Sequence, residues 1–201
     1  MALMCFGVGG VFATLGCGAS IAALVLGRTL GAPGAGAARL GAIVGILPAV
    51  LFVRLIYVAR SSPSINDVST DLLDPPAFVA TGAKPYPPGF ADSVRRGYPD
   101  LRPLVLAVGR ARTFSLARAT AARERGWVVT AADSEAGRLE ATATTRWFGF
   151  RDDVVIRVNG RGPDSSVVDM RSKSRVGRGD VGTNATRIRK YFAALQRAAS
   201  R

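Results

Sequence analysis

The chain has 201 residues and a formal charge of +13, from 27 basic and 14 acidic side chains, and it contains no histidine. Its two cysteines, Cys5 and Cys17, both lie in the apolar front of the chain. These facts exclude a Ser-His-Asp triad, a Cys-His pair and a His-ligated zinc site within these residues, along with a thiol zinc ribbon or a disulfide scaffold.

From Met1 to Gly27 no side chain is charged, and Val11, Phe12, Leu15, Ile21, Leu24, Val25 and Leu26 set the character of the run. It exceeds the roughly 20 residues that span hydrocarbon. A second apolar run, Leu40 to Ala59, holds one proline, Pro48, and one charge, Arg54, whose long stem can carry the guanidinium out to the headgroups. The spacing predicts membrane helices over about 3–27 and 40–59, joined by the turn-rich connector between them. Residues 1–60 then form an anchor and residues 61–201 a soluble domain. A cleaved signal peptide fits less well, because the first four residues offer no basic side chain. Thr14-Leu15-Gly16-Cys17 is only a displaced version of a lipoprotein box. Arg28 and Arg39 on the connector balance Arg54 and Arg60 at the exit, so charge counting gives no orientation.

The segment from Ser61 to Pro103 is rich in proline and poor in periodicity. It reads as an extended segment ordered by docking, with Ile65, Val68, Phe78, Tyr86, Phe90 and Tyr98 as anchors. Beyond it, Leu104 to Val108 predicts a strand and Ala111 to Arg125 a helix stopped by Gly126. Trp127 to Thr130, Arg138 to Trp147, Asp153 to Val158 and Ser166 to Val176 predict four strands, separated by turns at Asp133–Gly137 and Asn159–Asp164. Asn184 to Ala199 places Ile188, Tyr191, Phe192 and Leu195 on one helical face. The order implies an α+β fold, a mostly antiparallel sheet with two helices on one face.

Alternation along the strands sorts the side chains into two faces. Leu139, Ala141, Ala143, Val154, Ile156, Val158, Val168 and Met170 fall on the helix side. Glu140, Arg146, Asp153, Arg157, Asp169, Arg171, Lys173 and Arg175 fall on the other, five cations against three carboxylates. Such a face is either solvated cross-strand ion pairing or an anion-binding surface, since Arg forks suit phosphate and carboxylate groups. Nucleic acid is not expected, because no aromatic stacking platform is interleaved with these cations.

Gly177-Arg178-Gly179-Asp180-Val181-Gly182 spells GxGxxG. A dinucleotide fold would need a further parallel strand and a later acidic residue, and these are missing. The turn still feeds a helix N-terminus, which either offers backbone N–H groups to an anion or is capped by Asp180 or Thr183. Arg178-Gly179-Asp180 as an adhesion tripeptide and Asn184-Ala185-Thr186 as a sequon are discounted. Asp152 and Asp153, adjacent on a strand, point to opposite faces and make an awkward metal pair. Asp67, Asp71 and Asp74 read as turn and cap chemistry.

Several of these segments together resemble the bacterial and plastid family called domain of unknown function 1499. The resemblance starts at Ile65-Asn66-Asp67-Val68-Ser69-Thr70-Asp71 and Asp74-Pro75-Pro76-Ala77-Phe78, and continues through Gly126-Trp127 and residues 139–144. It is strongest over residues 148–158 and 168–180, and Asn184, Arg187 and Ile188 fit the closing helix. Asn66 stands where many relatives carry His. The resemblance implies a family without an assigned activity whose members often carry export signals or anchors. That favours an extracytoplasmic domain on a bacterial inner membrane.

The leading expectation is a non-catalytic, membrane-anchored envelope domain without cofactor or metal. It would bind an anionic small molecule, an envelope polymer or a membrane protein partner. Arg157, Arg171, Lys173 and Arg175 supply charge, Arg178 and Arg187 lie beside the helix start, and Asp153, Asp169 and Asp180 orient the cations. The alternatives are a metal-assisted hydrolase using Glu140, Asp153 and Asp169, and a structural or assembly subunit.

Overall fold

The computed structural model describes residues 2–30, 35–82, 84–146 and 148–201; within the first two helices it describes the side chains of residues 10–12, 14–26, 43–58 and 60–61. The chain divides into two compact units, Met1–Ser61 and Ser62–Arg201.

The first unit is a pair of helices, α1 (Ala2–Leu30) and α2 (Ala35–Ser61, with Pro48 inside it). Much of the expected connector is therefore helical, and its central residues 31–34 lie outside the described residues. Small residues set the closeness of the pair. A Cβ on Gly10 would fall 2.0 Å from the Phe52 ring, and one on Gly45 would fall 2.9 Å from the Cys17 side chain. Glycine lets backbones approach where any side chain would hold them apart. Among the described residues no helix is long and apolar enough to cross a membrane, so the expected two membrane spans gain no support from this criterion.

The second unit is α+β. Its elements are β1 (Asp67–Ser69), α3 (Phe90–Gly97), β2 (Leu104–Leu106), α4 (Arg110–Arg123), β3 (Trp127–Asp133), β4 (Arg138–Thr144), β5 (Arg151–Gly160), β6 (Ser166–Ser174) and α5 (Thr183–Ala199). The strands form one antiparallel sheet in the order β1-β6-β5-β4-β3, with β2 pairing the N-terminal half of β6 and β1 the C-terminal half. The alternation read from the sequence is realised: Leu139, Ala141, Val154, Ile156, Val158, Val168 and Met170 are buried in one core with Phe114, Ala117 and Ala121 of α4 and Ile188, Tyr191 and Leu195 of α5. Tyr191 anchors the two helices to each other, donating its hydroxyl to the Ala117 carbonyl at 2.8 Å, and its ring stacks on Trp127 at 5.4 Å. This core lies wholly between Ile65 and Ala199, so the second unit carries its own folding nucleus.

β3 and β5 run longer than expected, and β2, β4 and β6 end earlier. β4 stops at Thr144 because the chain turns after it: Thr145 Oγ1 accepts from Phe150 N–H, and Gly149 takes φ +64°. Arg146 therefore lies in that turn rather than on the sheet, and Trp147, the expected strand end, lies outside the described residues. β6 stops at Ser174, before the turn at Gly177 (φ +89°). Two short elements arise inside the proline-rich segment, β1 and α3, and the anchors Ile65, Val68, Phe78 and Tyr98 are buried as expected.

Candidate ligand-binding site

Cross-strand register sets the polar sheet face out in rows. Asp67, Lys173, Asp153 and Thr142 stand side by side across β1, β6, β5 and β4; in the next row are Ser69, Arg171, Val155 and Glu140; in the third, Asp169, Arg157 and Arg138. Alternation placed Glu140, Asp153, Arg157, Asp169, Arg171 and Lys173 on this face; Asp67 and Ser69 join it from β1, and Arg138 from the start of β4. What covers them is the finding, because this face is closed by the proline-rich segment.

Arg171 is the centre of the closure. It is 2% exposed, and Asp67 is fully buried. Its Nε and Nη2 donate to the two Asp67 carboxylate oxygens at 2.9 and 2.8 Å, and Nη1 and Nη2 reach the carbonyls of Pro76 and Lys84. Phe78 and Tyr86 place their rings 4.9 and 5.2 Å from the guanidinium carbon. A cation with its donors directed to oxygens and two aromatic faces beside it is held where a bare charge would be prohibitive. Burial beside Asp67 pushes the Tyr86 hydroxyl above its ordinary range.

The other charges are matched in the same way. Glu140, fully buried, accepts the backbone N–H groups of Val79 and Ala80 at 2.8 and 3.1 Å. Arg157 bridges Asp71, Asp74 and Asp169 at 2.8, 2.6 and 3.2 Å. Burial holds the Asp169 carboxyl above the usual carboxylate range, although Arg157 and Thr70 pull it down. Lys173 shares Asp67 at 3.3 Å, and Arg175 forks onto Asp153.

The expected open, cation-rich face is thus corrected. Asp67, Asp71 and Asp74 join Glu140, Asp153 and Asp169, giving six carboxylates against Arg138, Arg157, Arg171, Lys173 and Arg175. Asp71 does make the turn expected of it, its Oδ1 accepting Leu73 and Asp74 N–H, but its other oxygen serves Arg157.

Arg187 lies on the helix side, apart from Arg157 and Arg171. Its guanidinium pairs with Asp152, and it also donates to Ser172 Oγ and Asn184 Oδ1. Asp180 caps α5, taking the N–H groups of Gly182 and Asn184 at 3.0 and 2.6 Å. The helix terminus proposed for an anion therefore already holds a carboxylate of its own chain. Burial raises the Asp180 carboxyl above the ordinary range against those two hydrogen bonds. The turn is tight enough to hold Val181 at φ 52°, a conformation side chains rarely adopt. The sequon residue Asn184 is fully buried.

The hydrolase carboxylates do not converge. Glu140, Asp153 and Asp169 stand in three different rows and are each committed elsewhere, and among the described residues no group of three acidic, His or Cys side chains could hold a metal.

What stays accessible is the rim where β5 begins and β6 ends. Arg175 N–H donates to the Arg151 carbonyl at 3.3 Å, joining the two ends. The Arg175 side chain is 40% exposed, and Arg151 and Arg178 are exposed.

A family model described as "Protein of unknown function (DUF1499)" matches residues 67–195, from the Asp67 that holds Arg171 to the Leu195 of the core. The chain belongs to the DUF1499 family. No curated protein matches it. Among solved structures, the chain is similar at 14% identity to the di-domain ARO/CYC BexL from the BE-7585A biosynthetic pathway. That likeness covers 49% of this chain and 45% of the other, with a TM-score of 0.37, and carries no argument about this DUF1499 domain. Sequence reasoning missed Asp67, Asp71, Asp74 and Asp152 as ion-pair partners. The signal available was their place in the opening motif of the DUF1499 domain and, for Asp152, its parity on β5.

Proposed function

We propose that this DUF1499 protein is a membrane-anchored, non-enzymatic envelope protein of the bacterial inner membrane. Its domain, on the extracytoplasmic side, binds an anionic ligand at the cationic rim. The observation that carries the anchor is the surface of α1 and α2, where fifteen large apolar side chains among the described residues are exposed, from Val11 and Phe12 to Ile56 and Tyr57. That much apolar surface is costly in water, whereas a bilayer solvates it. Arg54, exposed near the end of α2, suits a headgroup depth.

The ligand reading moves from the covered face to its edge. Arg171, Arg157 and Arg187 are committed to Asp67, to Asp71, Asp74 and Asp169, and to Asp152, so they position the domain's own segments. Lys173 likewise serves Asp67, which leaves the exposed Arg151 and Arg178, with Arg175 that also holds Asp153, as the cations of the rim that can meet an anionic small molecule or an envelope polymer. The alternative is an assembly subunit, favoured by the closed, ion-paired polar layer, with the helix pair meeting a membrane protein partner.

Membrane fractionation of cells expressing the full chain tests the anchor. The protein should stay with the membranes through an alkaline carbonate wash and be released by detergent. Recovery in the carbonate supernatant would overturn the anchor.

A further inference from the structure

Among the described residues, the turn between β4 and β5 carries two exposed aromatic rings. Phe148 is 48% and Phe150 36% exposed, and they stack on each other at 5.7 Å rather than against the core. Val176, 58% exposed, follows Arg175, the residue whose N–H reaches the first carbonyl of β5. Apolar side chains in water at a loop tip contribute nothing to the fold; their use lies in a partner that is itself apolar.

The surroundings identify that partner. Arg151 directly follows Phe150, and Arg178 lies two residues beyond Val176, both exposed; among the described residues the ion pairs of the unit include neither. Aromatic and aliphatic tips flanked by exposed guanidinium groups fit the interface of an anionic bilayer, with rings at the acyl boundary and cations at the phosphates.

The same end of the sheet is tied to the start of the unit. The first residues of the unit are pinned to this end of the sheet. Asn66 Nδ2 donates to the Gly177 carbonyl at 2.6 Å and accepts Ser174 N–H at its own carbonyl, while Asp180 N–H donates to the Ile65 carbonyl. The chain enters the folded unit beside the turn that bears Val176 and Arg178.

We infer that Phe148, Phe150 and Val176, with Arg151 and Arg178, form an interfacial foot that seats the domain on anionic phospholipid. This rests on the reading of the rim as an anion site and names its ligand as phospholipid headgroups in a bilayer. The foot acts without the helix pair, so its test uses residues 62–201, which hold their own core.

The fragment is sedimented with sucrose-loaded vesicles of phosphatidylglycerol and phosphatidylcholine in equal parts, with pure phosphatidylcholine vesicles, and titrated separately with soluble polyphosphate. It should bind the anionic vesicles, less at high salt, and leave the neutral ones. Arg151→Gln with Arg178→Gln should weaken partitioning ~30-fold, as removal of two interfacial cations does. Phe148→Ser with Phe150→Ser should weaken it at least ~10-fold, and low salt should not restore it. Circular dichroism checks that both variants keep the fold. Binding to polyphosphate without binding to vesicles, or vesicle binding indifferent to the two phenylalanines, would overturn the foot while leaving the anion site intact. Absence of binding to either probe would overturn both.

Discussion

Asp67 on β1 and Arg171 in the neighbouring row on β6 form a diagonal two-pronged ion pair with neither partner open to water. The pair joins the first strand of the domain to a residue 104 positions later, so it closes the fold over its polar sheet face. Removing Arg171 takes the two-pronged partner from the buried Asp67 carboxylate and leaves it Lys173 at 3.3 Å. Arg171→Met should destabilise residues 62–201 by about 3–5 kcal/mol in urea unfolding. Combining it with Asp67→Asn should cost less than the sum of the two single changes, with coupling of about 0.5–3 kcal/mol. Strict additivity would show the pair to be incidental.

Arg157 holds Asp71, Asp74 and Asp169 together, and two of those three sit in the segment that crosses the sheet. Arg157→Lys keeps the charge and loses the fork. It should cost about 1–2 kcal/mol, since the Arg157 side chain is still a fifth exposed and its pairs are partly screened. The same change should speed cleavage of residues 70–82 by a broad-specificity protease before the sheet itself is cut. Unaltered cleavage there would separate Arg157 from the closure.

The Asp180 carboxyl is raised by burial, above the value it has in the unfolded chain. A carboxyl raised on folding binds its proton more tightly in the native state. Its contribution to stability therefore grows as pH falls through the folded value towards the unfolded one, and is unfavourable above both. Asp180→Asn keeps an oxygen to cap α5 but removes the titration. The melting temperature of the parent relative to this variant should therefore rise between pH 7 and pH 4. A difference that is flat, or that shrinks as pH falls, would contradict the assignment.

Much of the sheet was legible in the sequence because alternation is a local signal. Leu139, Ala141, Val154, Ile156 and Met170 needed only period two to be placed against α4 and α5. The same rule put Arg157 and Arg171 on the opposite face correctly, and separated Asp152 from Asp153. It could not supply what covers that face. Asp71, Asp74 and Asp67, which reach Arg157 and Arg171 from the covering segment, lie 83 to 104 residues away, where prolines leave no period to read. A count restricted to the strands gave a surplus of cations that the docked Asp67, Asp71 and Asp74 cancel. The cap on α5 was legible, since Asp180 stands where a helix start needs an acceptor. The end of β4 was not, because Thr145 looks like a strand residue and acts as a turn residue through its hydroxyl.

The closure of the polar face is tested most directly by amide hydrogen exchange at Val79 and Ala80, whose N–H groups are given to the buried Glu140 carboxylate. In the intact chain both amides should exchange far more slowly than free peptide, and Glu140→Gln should release them while the amides of β5 stay protected. Exchange of Val79 and Ala80 at the free-peptide rate in the unaltered protein, with β5 protected, would mean that the segment does not lie on the sheet and that the arginine face is open after all.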